Sequence, residues 1–240
     1  MKMTNCLVLL MLVFSSTVYS QSEIYFDEGS TLILDSGSEI YSDVVIINGS
    51  YTGGGTINGS IAYVLNFSAF LEGFYNSYTG TMVSDTVSVF LRNSDSPYQI
   101  ADSSEAVLNE SGVGTFIFSN VVNGTNYYLV LKHRNSIETW SANPVTISSN
   151  SLTYYDFTSS QSKAYGNNMT QTGTVWSVYS GDLNQDGVID AWDISQVENA
   201  AIHGITGYVN SDITGDDFVD SSDLAIVENN SSLYVSVVSP

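Results

Sequence analysis

A twelve-residue run, from Asp182 to Asp193, places the tightest constraint on what this chain can fold into. Side chains that carry oxygen occupy its first, third, fifth, ninth and twelfth places, and a glycine occupies the sixth. A hard cation needs several oxygen ligands at short distance, and the glycine lets the backbone turn sharply around it. The run therefore predicts a calcium-binding loop. Its predicted ligands are Asp182, Asn184, Asp186, Val188 through its backbone carbonyl, Asp190 through water, and Asp193.

The same spacing returns thirty residues later, from Asp212 to Asp223. Two departures weaken this second loop. Thr214 replaces an amide, and Asp217 replaces the glycine at a turn that usually needs a positive φ. We therefore expect Ca²⁺ at two sites, a strong first one and a weaker second one. The predicted ligands of the second loop are Asp212, Thr214, Asp216, Phe218 through its carbonyl, Asp220 and Asp223.

The chain around the first loop predicts a helix after it and none before it. Ile194, Val197 and Ala201 fall on one helical face, and Gly204 marks a stop. An ordinary EF-hand has a helix in front of its loop, whereas residues 174–179 read as a strand. At the other end of the segment, residues 233–238 predict a terminal strand that adds an edge to the preceding β-domain.

The repeated unit, residues 181–193 and again 211–223, resembles the repeat of type I dockerins. The resemblance covers residues 181–240. It implies paired calcium loops, each followed by one helix. It also implies a secreted protein that is anchored by docking on a cohesin module.

The partner-binding residues of that family are not matched in this chain. In dockerins they lie near the loop ends and along the helices, and they are often hydroxyls with Lys or Arg. Here Ala191 and Trp192 stand at the end of the first loop, Ser221 and Ser222 stand at the end of the second, and neither helix carries Lys or Arg. The resemblance therefore supports the prediction of calcium binding more strongly than it supports a prediction of cohesin binding. The unit either docks on a partner or packs on the chain's own β-domain.

Residues 1–20 have the pattern of a secretory signal peptide. Lys2 precedes a short apolar run, residues 6–14, which is too short to span a bilayer. Small residues follow, and we expect cleavage after Ser20; an uncleaved anchor is the alternative. Cys6, the only cysteine, lies inside this segment. A secreted chain without disulfides would depend on metal ions for stability.

Charge excludes some partners. The chain has 5 Lys and Arg against 25 Asp and Glu, a net charge of −20. Such a surface repels nucleic acid and anionic membranes, so we expect neither as a partner. Residues 181–240 contain no Lys or Arg. Their carboxylates therefore need cations or another domain.

The chain between the signal peptide and the loops reads as β-structure. Residues 21–60 form a Gly/Ser-rich β segment that is either a solenoid-like stub or cap, or an edge hairpin. Residues 61–158 predict an antiparallel β-sandwich, because short strands recur at regular spacing. Residues 159–180 predict a connecting loop and strand. The predicted fold class is mainly β, an antiparallel β-sandwich with a small α-helical calcium-binding domain at residues 181–240.

Within the sandwich, apolar residues occupy every second position at Val87, Val89 and Leu91, as expected for a strand with one buried face. Asn123-Gly124 is a hairpin-turn signal between two strands. The surrounding run, residues 114–130, resembles prealbumin-like and carboxypeptidase-regulatory-like sandwiches. A fibronectin type III sandwich is also compatible with it.

One basic cluster has two interpretations. Trp140 could stack on a sugar while His133, Arg134 and Asn135 hydrogen-bond to a sugar or an anion. Alternatively these residues are internal: Trp140 belongs to the core and the cations dock on the acidic C-terminal segment. Neither histidine lies beside a plausible nucleophile, so we expect no enzyme. The alternative left open is a small hydrolase, such as a glycoside hydrolase that uses paired carboxylates.

Two functions follow. The favoured one is a secreted, non-catalytic calcium-binding protein that acts in adhesion, assembly or surface interaction through a protein partner of unknown identity. The alternative is a carbohydrate-binding accessory component of an extracellular polysaccharide-degrading system.

Overall fold

The computed structural model describes residues 18–19, 24–26, 31–47, 50–148 and 153–240. The predicted signal peptide, with Cys6 and the cleavage site after Ser20, lies outside the described residues except for residues 18–19. Within the described part of the chain, no helix is long and apolar enough to cross a membrane.

Seventeen strands and two α-helices form along the described chain. The strands are β1 (Val18–Tyr19), β2 (Ile24–Phe26), β3 (Thr31–Leu34), β4 (Glu39–Ile47), β5 (Ser50–Gly53), β6 (Thr56–Ser68), β7 (Tyr75–Asn76), β8 (Thr81–Met82), β9 (Asp85–Asn93), β10 (Ile100–Leu108), β11 (Val113–Phe118), β12 (Thr125–His133), β13 (Ser136–Trp140), β14 (Val145–Ile147), β15 (Thr153–Asp156), β16 (Thr170–Thr172) and β17 (Val175–Ser177). The helices are α1 (Ala191–Ile202) and α2 (Ser221–Ser232). Two short 3₁₀ turns span Gln161–Lys163 and Tyr165–Asn167.

The chain divides into two compact units. The first comprises the described parts of Met1–Leu65, Ile117–Thr125 and Thr146–Tyr154. The second comprises Asn66–Phe116, Asn126–Val145 and Tyr155–Pro240, and therefore holds both predicted calcium loops together with β9, β10 and β13.

In the first unit, successive short strands pair in parallel. Thr31 of β3 pairs with Ser50 of β5, and Glu39 of β4 pairs with Thr56 of β6. A hairpin would pair its strands antiparallel, whereas stacked parallel strands are the arrangement of a β-solenoid. The pairing therefore favours the solenoid-like interpretation of residues 21–60. The apolar core of this region contains Leu32, Leu34, Ile40, Val45 and Ile47.

The second unit is built on an antiparallel sheet with the strand order β10-β9-β12-β13. On β9, Val87, Val89 and Leu91 are 1%, 0% and 0% exposed, as their alternation predicts. The fold class is confirmed: the chain is mainly β, with a small helical C-terminal domain.

The predicted hairpin at Asn123-Gly124 is wrong. Gly124 does lie in a turn, with φ +74°. However, β11 on one side belongs to the sheet of β4 and β6, and β12 on the other side belongs to the sheet of β9. The Asn-Gly pair indicates only that the local backbone favours the φ values that a turn requires. Which strands then pair is decided by packing that the turn does not encode.

The two helices begin in the same way. Asp190 and Asp220 are their N-caps, and each accepts from the backbone N–H two residues on. Asp193 and Asp223 return a carboxylate to the N-cap N–H, which completes a capping box in both copies. Gly204, two residues after α1, has φ +62° and ends the helix as predicted.

Candidate metal centre

The first loop holds two buried carboxylates. Asp182 is 1% exposed; its Oδ2 accepts from the Gly187 N–H at 3.2 Å, while its Oδ1 has no hydrogen-bond partner. Asp193 is 0% exposed and accepts from the N–H groups of Leu183 at 2.9 Å and Asp190 at 3.0 Å. Burying a carboxylate oxygen without a partner is costly, so this arrangement fits a cation at Asp182.

In the middle of the first loop, successive side-chain oxygens accept hydrogen bonds from the backbone N–H two residues further on. Asn184 Oδ1 accepts from the Asp186 N–H at 2.9 Å, and Asp186 Oδ1 accepts from the Val188 N–H at 3.0 Å. The Asn184 amide also donates to Asp186 Oδ2 at 2.7 Å. Asp190 caps α1. All six predicted ligands of the first loop are thus held by local contacts along one tight stretch of backbone.

Electrostatics around the first loop favour a cation. Burial and the nearby carboxylates of Asp193 and Asp186 together raise the pKa of Asp182 to about 6, against the opposing hydrogen bond from Gly187. Burial also raises the pKa of Asp193. Within the described residues, no three His, Cys, Asp or Glu side chains gather into a metal cage by themselves. Calcium in such a loop also uses amide and backbone carbonyl oxygens.

The second loop satisfies more of its own oxygens. Asp212 is 1% exposed, and its two oxygens accept three backbone N–H groups, those of Gly215, Asp216 and Asp217, at 2.8, 3.2 and 3.1 Å. Asp223 Oδ1 accepts from the N–H groups of Ile213 and Thr214 and from the Thr214 hydroxyl. The Thr214 hydroxyl, a predicted ligand, is therefore already donating within the loop. Of the remaining predicted ligands, Asp216 accepts from the Phe218 N–H at 3.0 Å, and Asp220 caps α2.

Each loop has two residues in the left-handed backbone conformation, and one of the two is a glycine. In the first loop Gln185 has φ +57° and Gly187 has φ +89°. In the second, thirty residues on, Gly215 has φ +72° and Asp217 has φ +69°. The predicted positive φ at Asp217 is confirmed. The copies thus exchange the place of their glycine, and each carries one strained non-glycine residue.

The loops are bridged crosswise. The Ile189 N–H donates to Val235 O at 2.9 Å, and the Val237 N–H donates to Gly187 O at 2.8 Å. In the same way, the Val219 N–H donates to Ile205 O at 3.2 Å. Each loop is thus bonded to the segment that follows the other loop's helix. The prediction that residues 233–238 add an edge to the sandwich is wrong, because these groups are bonded to the first loop.

The turn between β12 and β13 carries the basic cluster, and it faces inward. Arg134 donates through Nε to Asp85 at 3.1 Å and through its guanidinium to the Val209 carbonyl, and it lies 4.3 Å from the ring centre of Tyr208. The Tyr208 hydroxyl donates to Asp85 at 2.7 Å. Arg134 thus joins the sandwich, through the Asp85 carboxylate, to the segment between α1 and the second loop, through the Val209 carbonyl and the Tyr208 ring.

His133 is 4% exposed and lies between Asp85 at 3.1 Å and the Ser136 hydroxyl at 3.0 Å. This is the order of an acid–histidine–serine relay. Ser136 is 0% exposed, however, so a substrate has no access to its hydroxyl. Burial lowers the pKa of His133, although the hydrogen bond and the charge of Asp85 oppose this. The three residues act as a structural network.

Trp140 belongs to the core. It is 5% exposed, its indole N–H donates to Glu138 at 2.7 Å, and the Arg92 guanidinium lies 5.1 Å from its ring centre. Asn135 is 0% exposed, and its side-chain amide donates to the backbone carbonyls of Asn210 and Asp212, at the start of the second loop. Trp140, His133, Arg134 and Asn135 therefore make internal contacts in this structure and do not form an open sugar-binding face.

Several anchoring residues have no signal in the sequence. Asp85 lies at the start of an ordinary strand, yet it holds His133, Arg134 and Tyr208. Glu72 Oε2 accepts from the Asn230 amide of α2 at 2.6 Å and from the Ser180 N–H at 3.1 Å. These partners are far apart in the chain, so no local spacing could have revealed them.

Two loops rich in oxygen-bearing side chains, each followed by a capped helix and bonded to the segment after the other helix, define a paired loop–helix module. Residues 180–230 match the family model described as the dockerin type I domain. This segment of the chain is therefore a type I dockerin domain, preceded by a β-rich domain, and dockerins are modules of protein–protein assembly. The predicted dockerin resemblance is confirmed for these residues.

Other comparisons add little. No curated protein is significantly similar to this chain. Among solved structures, a chain in the crystal structure of an N-terminal interface mutant of a type II cohesin–X-dockerin complex from Acetivibrio cellulolyticus is 17% identical. The match covers 72% of this chain and 97% of that chain, with a TM-score of 0.37.

Proposed function

We propose that this protein is a secreted, non-catalytic component that binds calcium at both loops and docks through residues 181–240 on a cohesin-type partner in an extracellular assembly. The observation that carries the proposal is the partnerless, buried Oδ1 of Asp182 inside a loop that the dockerin model matches. The signal-peptide pattern of residues 1–20 supports secretion. The net charge of −20 supports a calcium-rich setting.

The partner-binding surface we propose is a stripe along α1. Trp192, Ser195, Asn199 and Ile202 recur every three or four residues and so share one helical face. Trp192 is 52% exposed and Ile202 is 79% exposed. The corresponding face of α2 carries only small or polar residues, namely Ser222, Ala225, Asn229 and Ser232. An apolar anchor flanked by polar groups is the pattern of an interface centre.

Binding to immobilised type I and type II cohesin modules, measured by biolayer interferometry, tests this proposal. We expect the full chain to bind at least one module in calcium and to lose binding in EDTA. The double variant Trp192→Ala, Ile202→Ala should bind about 100-fold more weakly, since exposed apolar anchors dominate interface energies. Tyr78→Ala, which removes a fully exposed aromatic side chain in a turn outside the dockerin domain, is the matched control. Failure to bind any cohesin module in calcium would contradict the proposal.

The weaker second site is a separate prediction. Thr214→Asn restores the amide of the first loop, and Asp217→Gly removes the left-handed strain at φ +69°. We expect the double variant to bind calcium at the second loop about tenfold more tightly than the wild type does, as measured by isothermal titration calorimetry. An unchanged second-site affinity would show that these two departures do not set it.

A further inference from the structure

Asn135 lies between the beginnings of the two calcium loops. It is 0% exposed and sits in the turn between β12 and β13 of the sandwich. Its side-chain amide donates to the carbonyls of Asn210 at 3.1 Å and Asp212 at 2.9 Å. The backbone carbonyl of Asn135 accepts from the Gly181 N–H at 2.6 Å. Asp212 is the first residue of the second loop, and Gly181 immediately precedes the first residue of the first loop.

A neighbouring contact strengthens the connection to the first loop. The Gln185 amide donates to the Ser136 carbonyl at 3.2 Å and to the Asp182 carbonyl at 2.7 Å. Ser136 follows Asn135 in the same turn. The turn therefore fixes the backbone at Gly181, Asp182 and Asp212. Asp182 and Asp212 carry the first, buried carboxylate of each loop.

We infer that Asn135 is a positioning residue for both calcium sites, so that the sandwich forms part of the calcium-binding structure. The inference rests on the proposed calcium binding, and it extends that function to a residue outside the dockerin domain. Asn135 contacts no predicted ligand atom. It acts through the backbone that carries Asp182 and Asp212, in the way that outer residues orient the ligands of metal sites.

The chemistry of an amide explains the choice of residue. The Asp212 carbonyl needs a donor because its contact is buried, and the second hydrogen of the same NH₂ group serves the partly buried contact with Asn210. Leucine has a similar size but donates nothing, so it would leave these carbonyls unsatisfied. A substitution of this kind around a metal site typically lowers metal affinity about 10–100-fold.

Calorimetric calcium titrations of the full chain, stripped with chelator, test the inference. We expect Asn135→Ala and Asn135→Leu each to weaken the second site about 10–100-fold. The first site should change less, because it is reached through the Asn135 backbone carbonyl, which both variants keep. Asn143→Ala, an exposed asparagine of the same unit, should keep wild-type affinities. If Asn135→Leu binds calcium as tightly as the wild type, the residue only fills space and the inference is overturned.

Thermal unfolding in EDTA and a second variant separate positioning from folding. A positioning role lowers calcium affinity more than it lowers the stability of the metal-free chain; equal affinity with lower metal-free stability overturns it. If both Asn135 variants fail to fold, Gln185→Ala decides. It should weaken only the first site, and unchanged affinity there overturns the inference. A wild-type chain that binds no calcium would instead contradict the proposed function itself.

Discussion

Asp85→Ala is expected to lower the free energy of unfolding by about 3–5 kcal/mol, the usual cost of removing one partner from a buried charge pair. Asp85 is 6% exposed and accepts from Arg134 and His133, at 3.1 Å each, and from Tyr208 at 2.7 Å. Its removal leaves Arg134 Nε, the His133 ring N–H and the Tyr208 hydroxyl without this acceptor. Urea unfolding monitored by tryptophan fluorescence measures the change, with the exposed Asp95→Ala as control. A loss below about 1 kcal/mol, typical of a surface pair, would contradict the buried network.

The same carboxylate predicts an acid-sensitive stability. Burial alone would raise the pKa of Asp85, but the hydrogen bonds from His133, Tyr208 and the Thr86 N–H outweigh it and hold the pKa well below its usual range. A depressed pKa stabilises the fold above the unfolded value of about 3.9, and this contribution is lost as pH falls further. Wild-type stability should therefore fall more steeply below pH ~4 than that of Asp85→Asn. Parallel pH curves for the two proteins would sink the prediction.

Asp182→Ala combined with Asp186→Ala is expected to abolish calcium binding at the first loop. The variant removes the buried carboxylate whose Oδ1 has no partner and the one that organises the turn at Val188. At a calcium concentration a hundred times its dissociation constant, a site adds about 2.7 kcal/mol to stability. The calcium-dependent rise in melting temperature should shrink accordingly.

Calorimetry should show at least one binding event missing from this double variant. Asp216→Ala, which alters the second loop alone, is the matched control and should leave the stronger event in place. A titration of the Asp182, Asp186 variant that equals the wild type would exclude the first loop as a calcium site.

Local chemistry made the dockerin domain predictable. Its loop spacing, its helix-stop glycine and the positive φ at Asp217 each depend on a few adjacent residues. The alternation of Val87, Val89 and Leu91 was readable for the same reason, because one buried sheet face repeats every second residue.

Long-range pairing was not predictable. Asn123-Gly124 fixed a turn but not the strands that meet there. Residues 233–238 had the composition of a strand, yet their backbone groups bond to the first predicted calcium loop. The roles of Asp85 and Glu72 depend on partners far along the chain, and one sequence contains no record of such contacts.

The crosswise bridges between the loops have a consequence for the order of folding. The first loop ends at Asp193, but its backbone is closed by Val235 and Val237, at the other end of the domain. The first repeat therefore cannot reach its final form while the second is still being synthesised. The two repeats should fold together in one cooperative step, at a rate limited by closure of this long loop.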